Sequence, residues 1–459
     1  MSVKMDAFRQ ITEGVIWKQL LIFFFPIMLG SFFQQLYNTV DTVVVGQFVG
    51  KAALAAAGGS SAQIASLIVG FFTGLSSGAS VIIAHFFGAR DRRAASKAVH
   101  NAYVLAVTGG IVLTVLGILL TPHMLTWMNT PGETMGDAVL YLRIYFGALT
   151  FTFIYNMGAS ILRAAGNSRT PLYYLMVCCL TNIVLDIVLV AGFDMGVAGA
   201  AIATFISQAL SAVLITIRLA RDRGSLRITW KRMRFTGSIL VSQLKLGIPT
   251  AVESVLFAIT NIAIQAALNT FGTDTAAAWS AFGKMDAVFW MVSTSFGIAI
   301  TSFVGQNHGA GKRERVKKST KICLFMDFAV SAVTVIVLVA LRTPLFRMFT
   351  SDQNVIEIGS QMVLLITPWY IVYVFIEVLA GAMRGVGDVL VPMIITLVGI
   401  CVLRIVWLVG AMEISPTIDA IIFSYPVTWI LTAVAFIVYY WRKTFLENKK
   451  KCVDNQAGV

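Results

Sequence analysis

The feature that most constrains this chain is a series of apolar segments, each long enough to cross a lipid bilayer. Hydrophobic residues make up 58% of the 459 residues and charged residues only 12%. About 20 apolar residues span the hydrocarbon core as an α-helix, in which every backbone polar group is satisfied internally. The composition therefore excludes a soluble globular domain and predicts an all-α membrane protein with twelve transmembrane helices. The segments lie near 16–38, 52–76, 98–120, 138–161, 171–191, 196–218, 238–266, 275–303, 320–341, 358–382, 389–411 and 418–440.

The second half of the chain repeats landmarks of the first half in the same order. Residues 163–171 (RAAGNSRTP) return as 384–392 (RGVGDVLVP), 221 residues later. At the same offset, Gly88-Ala89 returns as Gly309-Ala310. A repeat of this length predicts two structurally similar units. Two further landmarks return at nearly the same offset: Thr121-Pro122 as Thr343-Pro344, and Pro26 as Pro249.

Six apolar segments fall in each half, so the second half begins on the same side of the membrane as the first. Such repeats are parallel, and the substrate sites of transporters lie between repeats. We therefore predict an N-lobe over residues 1–217, a basic cytoplasmic linker over 218–237, a C-lobe over 238–441 and a cytoplasmic tail over 442–459. The cavity between the two lobes is the expected substrate site.

The basic residues indicate an orientation in the membrane rather than a nucleic-acid partner. The net charge is +13, which by itself is compatible with a polyanionic partner. With both termini in the cytoplasm, however, 29 of the 35 Lys and Arg residues fall in cytoplasmic termini and loops. This is the positive-inside distribution, in which basic side chains also contact lipid headgroups. The charge therefore predicts membrane lipids as partners and no nucleic acid.

The sequence lacks the motifs of an enzyme or of a structural metal site. Its four His and five Cys residues follow no metal-ligand spacing, so we expect reduced cysteines and no cofactor. Residues 305–313 (GQNHGAGKR) resemble a phosphate loop, but five residues separate Gly305 from Gly311, and Arg313 follows Lys312. A Walker A motif needs four residues there and Ser or Thr after the Lys. We expect no enzyme, and uphill transport would draw on an ion gradient.

Ionisable side chains inside a membrane are costly and are default functional candidates. The first half has two, Asp41 in segment 1 and Asp186 in segment 5, with polar neighbours Asn156, Asn182 and Thr204 in segments 4, 5 and 6. The repeat tests whether these belong to the shared scaffold. Only Asn156 keeps a polar counterpart, Glu377, whereas the others correspond to Ile262 or Ile264 (Asp41), Leu403 (Asn182), Trp407 (Asp186) and Tyr425 (Thr204).

Two carboxylates with nearby amide and hydroxyl oxygens predict a site for a proton or a hard monovalent cation. Two like charges in a low-dielectric pocket cannot both stay ionised without a counter-cation. Asn182 and Asp186, four residues apart, share one helix face. The alternative is that the Asp residues cap helix ends or pair with a Lys, but no Lys or Arg lies in the middle of the first half's spans, and Arg143 lies near the outer end of segment 4.

The second half has a different set of charged residues, of both signs, for which ion pairing is the leading expectation. We predict pairs between Glu253 and Lys284 and between Glu377 and Arg404. Substrate binding by some of these residues is the alternative. The full set within or near the predicted spans is Glu253, Lys284, Asp286, Asp327, Glu377 and Arg404.

Several motifs together resemble the multidrug and toxic compound extrusion (MATE) family. The likeness runs from about Gly14 to Trp441, nearly the whole chain. It implies a two-lobe, twelve-helix antiporter that exports organic, often cationic compounds in exchange for H+ or Na+. The motifs are residues 36–41 (LYNTVD) with Val45-Gly46, Gly50 and 53–55 (ALA), then 163–166 (RAAG), 182–186 (NIVLD), 305–307 (GQN) and 309–311 (GAG).

The resemblance also implies site residues. In prokaryotic members an N-lobe cation site uses an Asp, an Asn, an Asn–Asp pair and a Thr, which fall here on Asp41, Asn156, Asn182, Asp186 and Thr204. Pro26 matches a proline at which the first helix bends, and a proline inside a helix favours a kink in any case. One branch of the family carries a Glu in segment 7 and an Asp in segment 10. The aligned residues here are Phe257 and Tyr373, so those roles do not carry over.

We expect aromatic and Met side chains to line the substrate pocket, because they adapt to varied apolar cations. The alternative function is a flippase for lipid-linked oligosaccharides or other lipids with a similar two-lobe fold. Such a cavity would need several cations for a pyrophosphate, and only Lys284 and Arg404 are available. We expect a monomer that works by alternating access in the cytoplasmic membrane of a bacterium or archaeon. The candidate lining residues are Phe33, Tyr37, Phe153, Met157, Phe289 and Trp290.

Overall fold

The computed structural model describes residues 11–49, 60–128 and 130–457, with side chains as far as Lys443. Over these ranges, twelve helical stretches are long and apolar enough to cross a membrane. The prediction of an all-α protein with twelve transmembrane helices is therefore confirmed. The N-terminal half contains α1 (Ile16–Phe48), α2 (Ser60–Gly88), α3 (Arg92–Trp127), α4 (Gly132–Ala164), α5 (Arg169–Asp186) and α6 (Gly196–Ala220).

The C-terminal half has three long helices followed by three spans that are interrupted. A 3₁₀ turn at Thr367–Trp369 breaks the tenth span, and it contains Pro368, which lacks an amide donor. A π-helical turn at Leu397–Val402 interrupts the eleventh span. The helices are α7 (Gly237–Asn269), α8 (Thr273–Gly309), α9 (Arg313–Ala340), α10 (Arg342–Arg347), α11 (Gln353–Ile366), α12 (Tyr370–Gly385), α13 (Leu390–Thr396), α14 (Leu403–Ile414), α15 (Ile418–Ile422) and α16 (Ser424–Ala457).

The described residues fall into two compact units. Unit 1 extends as far as Val255 and includes Gly305–Lys312, and unit 2 comprises Leu256–Val304 and the residues from Arg313 onward. Helices α7 and α8 therefore each contribute to both units. Each unit has its own apolar core, built in unit 1 mainly from α2 to α6 and in unit 2 mainly from α8, α11, α12 and α16.

The internal repeat extends to individual backbone conformations. Gly166 and Gly387, which are 221 residues apart, have φ angles of 87° and 88°. Arg90 and Gly311 are separated by the same offset and have φ angles of 59° and 71°. Positive φ is rare for residues with a side chain, so matched occurrences at one offset are a specific signature. The two halves thus share these two turns as well as the order of their helices.

Interhelical hydrogen bonds repeat at the same offset. In the first half, the Ser80 hydroxyl donates to the carbonyl oxygen of Ser160 at 3.3 Å. In the second half, the Thr301 hydroxyl donates to the carbonyl oxygen of Gly381 at 3.0 Å. Each bond therefore joins equivalent positions within its own half. Residues that differ between the halves therefore stand on a scaffold that shares these interhelical contacts.

Several helices continue beyond the predicted apolar segments. Helix α3 begins at Arg92 rather than near residue 98, because the Asp91 carboxylate accepts the first free N–H groups, those of Arg93 and Ala94. Helix α1 continues to Phe48, with Pro26 in its interior. Of the predicted tail, 442–459, residues 442–457 continue α16 to Ala457. The start of predicted segment 52–76 and the motif at 53–55 lie outside the described residues.

The basic linker is anchored to unit 1. The backbone N–H of Thr229 donates to His100 Nε2 (3.1 Å), and that of Thr236 donates to Asn101 Oδ1 (2.9 Å). Leu226 of the linker is buried in the apolar core of the unit. The linker therefore packs against α3 and belongs to the folded part of unit 1.

Candidate functional site

The residues predicted to bind a cation lie on four helices of unit 1. Asp41 is on α1, Asn156 on α4, Asn182 and Asp186 on α5, and Thr204 on α6. Helix α5 packs against both α1 and α6, and α4 packs against α6. The predicted site residues therefore stand on mutually packed helices.

A change in helix type marks the position of the carboxylate on α5. Asp186 is the last residue of α5, and a π-helical turn, Ile187–Gly192, follows it directly. Such turns alter the direction of the side chains around them and are frequent at functional sites. Asn182 lies one turn earlier on the same face. Asn182 and Asp186 are only 1% and 0% exposed, so both polar side chains are inside the protein.

The polar atoms of this group are buried without partners. Five of these atoms have no hydrogen-bond partner among the described residues. They are both oxygens of Asp186, both polar atoms of the Asn182 amide, and Oδ1 of Asp41. An unsatisfied buried polar group costs about 1–3 kcal/mol, and a charged one costs more. Asp41 and Asp186 also lie close enough to interact electrostatically. Their oxygen atoms suit a proton or a hard monovalent cation, which would satisfy them and offset their repulsion.

Three tyrosines lie near the carboxylates, and only Tyr37 was predicted from the sequence. Tyr37, one turn before Asp41, lies within electrostatic range of both Asp41 and Asp186. So does Tyr141, while Tyr145 lies within range of Asp41. The rings of Tyr141 and Tyr145 stack with centroids 6.2 Å apart. Their four-residue spacing on one face of segment 4 is the sequence signal that could have found them.

The hydrogen bonds of Asn156 and Thr204 are made within their own helices. On α4, Asn156 is three turns from Tyr145, about 16 Å along the helix axis. Its Nδ2 donates to the carbonyl oxygen of Thr152 at 3.0 Å, and it makes no hydrogen bond to either carboxylate within the described part of the chain. Thr204 is buried on α6, where its carbonyl oxygen accepts from Ser207 Oγ at 2.9 Å. The structure thus brings Asp41 and Asp186 together, with Asn182 one turn away.

The four predicted lining residues of the first half divide into two kinds. Phe153 is fully buried and stacks on Phe72 with ring centroids 4.2 Å apart. Met157 is also fully buried in the core of unit 1. Phe33 and Tyr37 on α1 are only half-buried. Of the four, therefore, only the two on α1 are accessible without repacking the core.

Asp286 of unit 2 belongs to an aromatic cluster. Trp290 Nε1 donates to Asp286 Oδ2 at 2.6 Å, and the Tyr370 hydroxyl donates to Oδ1. Phe289 is fully buried and stacks on Tyr370 with centroids 3.9 Å apart. Trp290 is half-buried and lies edge-on to Tyr373 at 4.7 Å. The Asp286 carboxylate is thus satisfied by its neighbours. Of the predicted lining residues Phe289 and Trp290, only Trp290 is partly exposed.

The predicted ion pairs of the second half are wrong. Glu377 pairs with Arg384 at 3.3 Å rather than with Arg404, because Arg384 lies two turns further along the same helix, α12. Arg404 itself is fully buried on α14. Glu253 is half-buried and Lys284 is exposed, and neither forms a hydrogen bond or an ion pair within the described ranges.

Asp327 on α9 is a buried carboxylate of another kind. It is 0% exposed, and it accepts hydrogen bonds from Ser293 Oγ (3.3 Å) and Ser331 Oγ (3.2 Å). Each of its oxygens therefore has a hydroxyl donor. This separates it from Asp186, whose two oxygens have none.

The cysteines are free and buried where the structure describes them, at Cys178, Cys179, Cys323 and Cys401. The side chain of Cys452 lies outside the described residues. In the described part of the chain, no group of three His, Cys, Asp or Glu side chains is arranged to hold a metal ion.

Comparison with known families reproduces the internal repeat. The MatE family profile matches residues 26–188 and then matches again at 249–409, once in each half. The chain belongs to the MatE family. The first match of this MATE protein contains Asp41 and Asn182 together with Asp186, and the second contains Arg404. The resemblance noted from short motifs is therefore confirmed over most of the chain.

Relatives of this MATE protein include proteins named for multidrug resistance. The probable multidrug resistance protein YoeA of Bacillus subtilis is 28% identical, over 84% of this chain and 84% of its own. The probable multidrug resistance protein NorM of Thermotoga maritima is 29% identical, over 85% and 84%. A solved outward-facing multidrug resistance MATE transporter of the MOP superfamily matches with a TM-score of 0.89 at 20% identity, covering 96% of this chain and 98% of its own. The likeness to this solved structure shows a shared fold.

The family and the twelve membrane helices together define the protein's class. It is a multi-pass plasma-membrane protein and a multidrug efflux transporter of the MATE family. The family match favours efflux over the flippase considered from the sequence.

Proposed function

We propose that this MATE protein is an antiporter that exports small organic, often cationic compounds in exchange for H+ or Na+, and that the coupling cation binds at Asp41 and Asp186. The observation that carries this proposal is the set of buried, unpartnered oxygens on Asp41, Asn182 and Asp186. Satisfied carboxylates such as Asp286 offer no comparable opening for a cation.

The coupling follows from the charge of the site. With both carboxylates ionised and no cation bound, two negative charges repel each other in a medium of low dielectric constant. A proton on one carboxyl group, or a Na+ held by both with the Asn182 amide oxygen, removes that repulsion. Loading and unloading of the cation therefore changes the free energy of the α1–α5 contact, the kind of bistable element that alternating access requires.

The N-lobe over residues 1–217 and the C-lobe over 238–441 are, in this proposal, the parts that move, with both termini in the cytoplasm and the protein acting as a monomer. Asn156 and Thr204 contribute polar oxygens further along α4 and α6 during the cycle. Phe33 and Tyr37, half-buried on α1, are the best placed of the predicted lining residues to meet a substrate. Names of relatives that refer to multidrug resistance support organic substrates.

Transport in a reconstituted system tests this proposal. Liposomes that contain the protein and trapped DNA report ethidium uptake by fluorescence, while Na+ and pH gradients are imposed separately. Wild type should accumulate dye under at least one gradient, and Asp41→Asn should abolish the response. Asp137→Asn is the matched control, because Asp137 is an exposed carboxylate on α4. Gradient-driven uptake by Asp41→Asn at the wild-type rate, or no response of wild type to either gradient, would refute the proposal.

A further inference from the structure

Arg404 is a fully buried cation in unit 2 that the coupling mechanism does not use. It lies two residues after the π-helical turn Leu397–Val402, near the start of α14. Its side chain is 1% exposed. A charged group inside a transmembrane helix is expensive and normally has a partner.

The neighbours of Arg404 are aromatic and neutral. Its guanidinium carbon lies 4.0 Å from the ring centroid of Tyr425 and 5.9 Å from that of Trp429. Nη2 donates to Thr428 Oγ1 at 3.1 Å. The side chains within electrostatic range are those of Tyr425, Cys401 and Tyr373, and none is a carboxylate. Cation–π contacts thus hold the plane of the guanidinium without neutralising its charge.

Three carboxylates within the predicted spans of unit 2 are occupied elsewhere. Asp286 accepts hydrogen bonds from Trp290 and Tyr370. Asp327 accepts from two serine hydroxyls, and Glu377 pairs with Arg384. Arg404 therefore has no anion of its own chain available as a counter-charge among the described residues.

Donors around Arg404 are left without acceptors. Nε and Nη1 of the guanidinium have no hydrogen-bond partner within the described ranges. The indole Nε1 of Trp429, whose ring faces the guanidinium, is also buried without a partner. Each unsatisfied buried donor is unfavourable, and the buried uncompensated charge is more so. A planar oxyanion would satisfy these donors and the charge at the same time, because guanidinium geometry matches a carboxylate.

We propose that Arg404 and Trp429 form an anion-binding site in unit 2 that accepts the carboxylate of a transported organic compound. The flat ring system of such a compound would pack on the surrounding aromatic cluster, which reaches the surface at the half-buried Trp290. The inference rests on the proposed function, since it assumes export of organic compounds, and it assigns a place in the fold to the carboxylate of those that carry one.

Equilibrium binding of two matched dyes tests the site without any ion gradient. Rhodamine 110 has a free carboxylate, and rhodamine 123 is its methyl ester, so the two differ only at that group. Their affinity for protein in dodecyl maltoside is measured by fluorescence anisotropy. Wild type should prefer the acid. Arg404→Met should weaken binding of the acid about 10- to 100-fold, the range of charge-assisted hydrogen bonds, and leave the ester unchanged.

Two further variants separate recognition from general effects. Arg404→Lys keeps the charge but loses the planar fork, so it should retain part of the preference for the acid. Lys284→Met removes an exposed cation from the same half and should leave both affinities at wild-type values.

Three results would overturn the proposal. The first is equal affinity of wild type for the acid and the ester. The second is a parallel loss of both dyes in Arg404→Met, which would indicate a structural role. The third is disappearance of the acid preference when the protein is moved from detergent into phosphatidylglycerol nanodiscs, which would assign the site to a lipid phosphate. None of these results depends on cation coupling, so this proposal and the proposed function can fail separately.

Discussion

The fifth span of each half carries a buried charge beside a π-helical turn, and the two charges have opposite signs. In the first half, Asp186 immediately precedes its π turn. In the second half, Arg404 follows its π turn by two residues. At the repeat offset, Arg404 corresponds to Ile183, which lies between Asn182 and Asp186. The same part of the same scaffold thus presents a carboxylate in one half and a guanidinium in the other.

The helix that packs next to Arg404 also differs from its counterpart in the first half. Thr204 on α6 corresponds to Tyr425 on α16, and Tyr425 is the ring that stacks on Arg404. The backbone turns at Gly166 and Gly387 have nevertheless stayed the same. The duplication therefore supplies the scaffold, while the chemistry of each half depends on a few side chains. We infer that one half binds the coupling cation and the other a substrate anion.

The largest predicted effect separates the carboxylates of the two halves. Asp186→Asn should abolish gradient-driven dye uptake in liposomes, because one carboxylate alone cannot exchange the cation that two hold. Asp286→Asn should keep most of the activity, since Asp286 is hydrogen-bonded to Trp290 and Tyr370. Equal losses in the two variants would remove the distinction between the halves.

A smaller effect is expected for Asn182→Leu, which places the residue of the repeat-related position, Leu403, in the first half. The substitution removes one neutral oxygen and keeps both carboxylates. The concentration of Na+ or H+ that half-saturates transport should rise about 10-fold, the value of one good polar contact. Leu403→Asn is the reciprocal control in the second half and should leave cation dependence unchanged. A larger response to Leu403→Asn than to Asn182→Leu would contradict the assignment.

The next prediction concerns Tyr425, whose ring holds Arg404 in the proposed anion site. Tyr425→Leu removes the ring that lies 4.0 Å from the guanidinium carbon, so Arg404 is held less firmly. Affinity for rhodamine 110 should fall about 3- to 10-fold, in line with a partly desolvated cation–π contact. Tyr425→Phe keeps the ring and should bind as wild type does. A loss in Tyr425→Phe equal to that in Tyr425→Leu would show that the hydroxyl, not the ring face, matters.

The smallest effect concerns the shared scaffold. Gly387→Ala introduces a side chain at φ 88° and should destabilise the protein by about 1 kcal/mol, lowering its melting temperature by a few degrees. Gly311→Asn should change it little, because a Cβ there meets nothing within 4 Å and Asn tolerates this conformation. Thermal unfolding in detergent measures both. A greater loss for Gly311→Asn would contradict the scaffold argument.

Much of the fold was predictable because hydropathy and the repeat are properties of the sequence itself. Helix ends were less predictable, since α3 is extended by a capping side chain, Asp91, outside the apolar run. The π turns gave no signal in hydropathy or residue spacing. The pairing of Glu377 was predicted wrongly because sequence separation did not reveal that Arg384 would reach it along the same helix.

For the candidate site, intramembrane charge located the carboxylates, but it did not indicate their surroundings. The four-residue spacing of Tyr141 and Tyr145 places them on one helix face, but only the fold shows that this face lies near Asp41. The aromatic and thioether side chains of Phe153 and Met157 favour a pocket-lining role. Their burial, however, depends on which face of α4 meets the core. Arg404 was recognised as a candidate, but its missing counter-charge is visible only in three dimensions.

The central claim is that the coupling cation binds in the first half and not in the second. Binding without transport tests it most directly. Purified protein in weakly buffered detergent is titrated with NaCl and, separately, with HCl while heat and proton uptake or release are recorded, for wild type, for Asp41→Asn/Asp186→Asn and for Arg404→Met. In at least one of the two titrations, the account predicts a saturable signal in wild type and Arg404→Met that is absent from the double variant. A saturable signal of wild-type size in the double variant would contradict it.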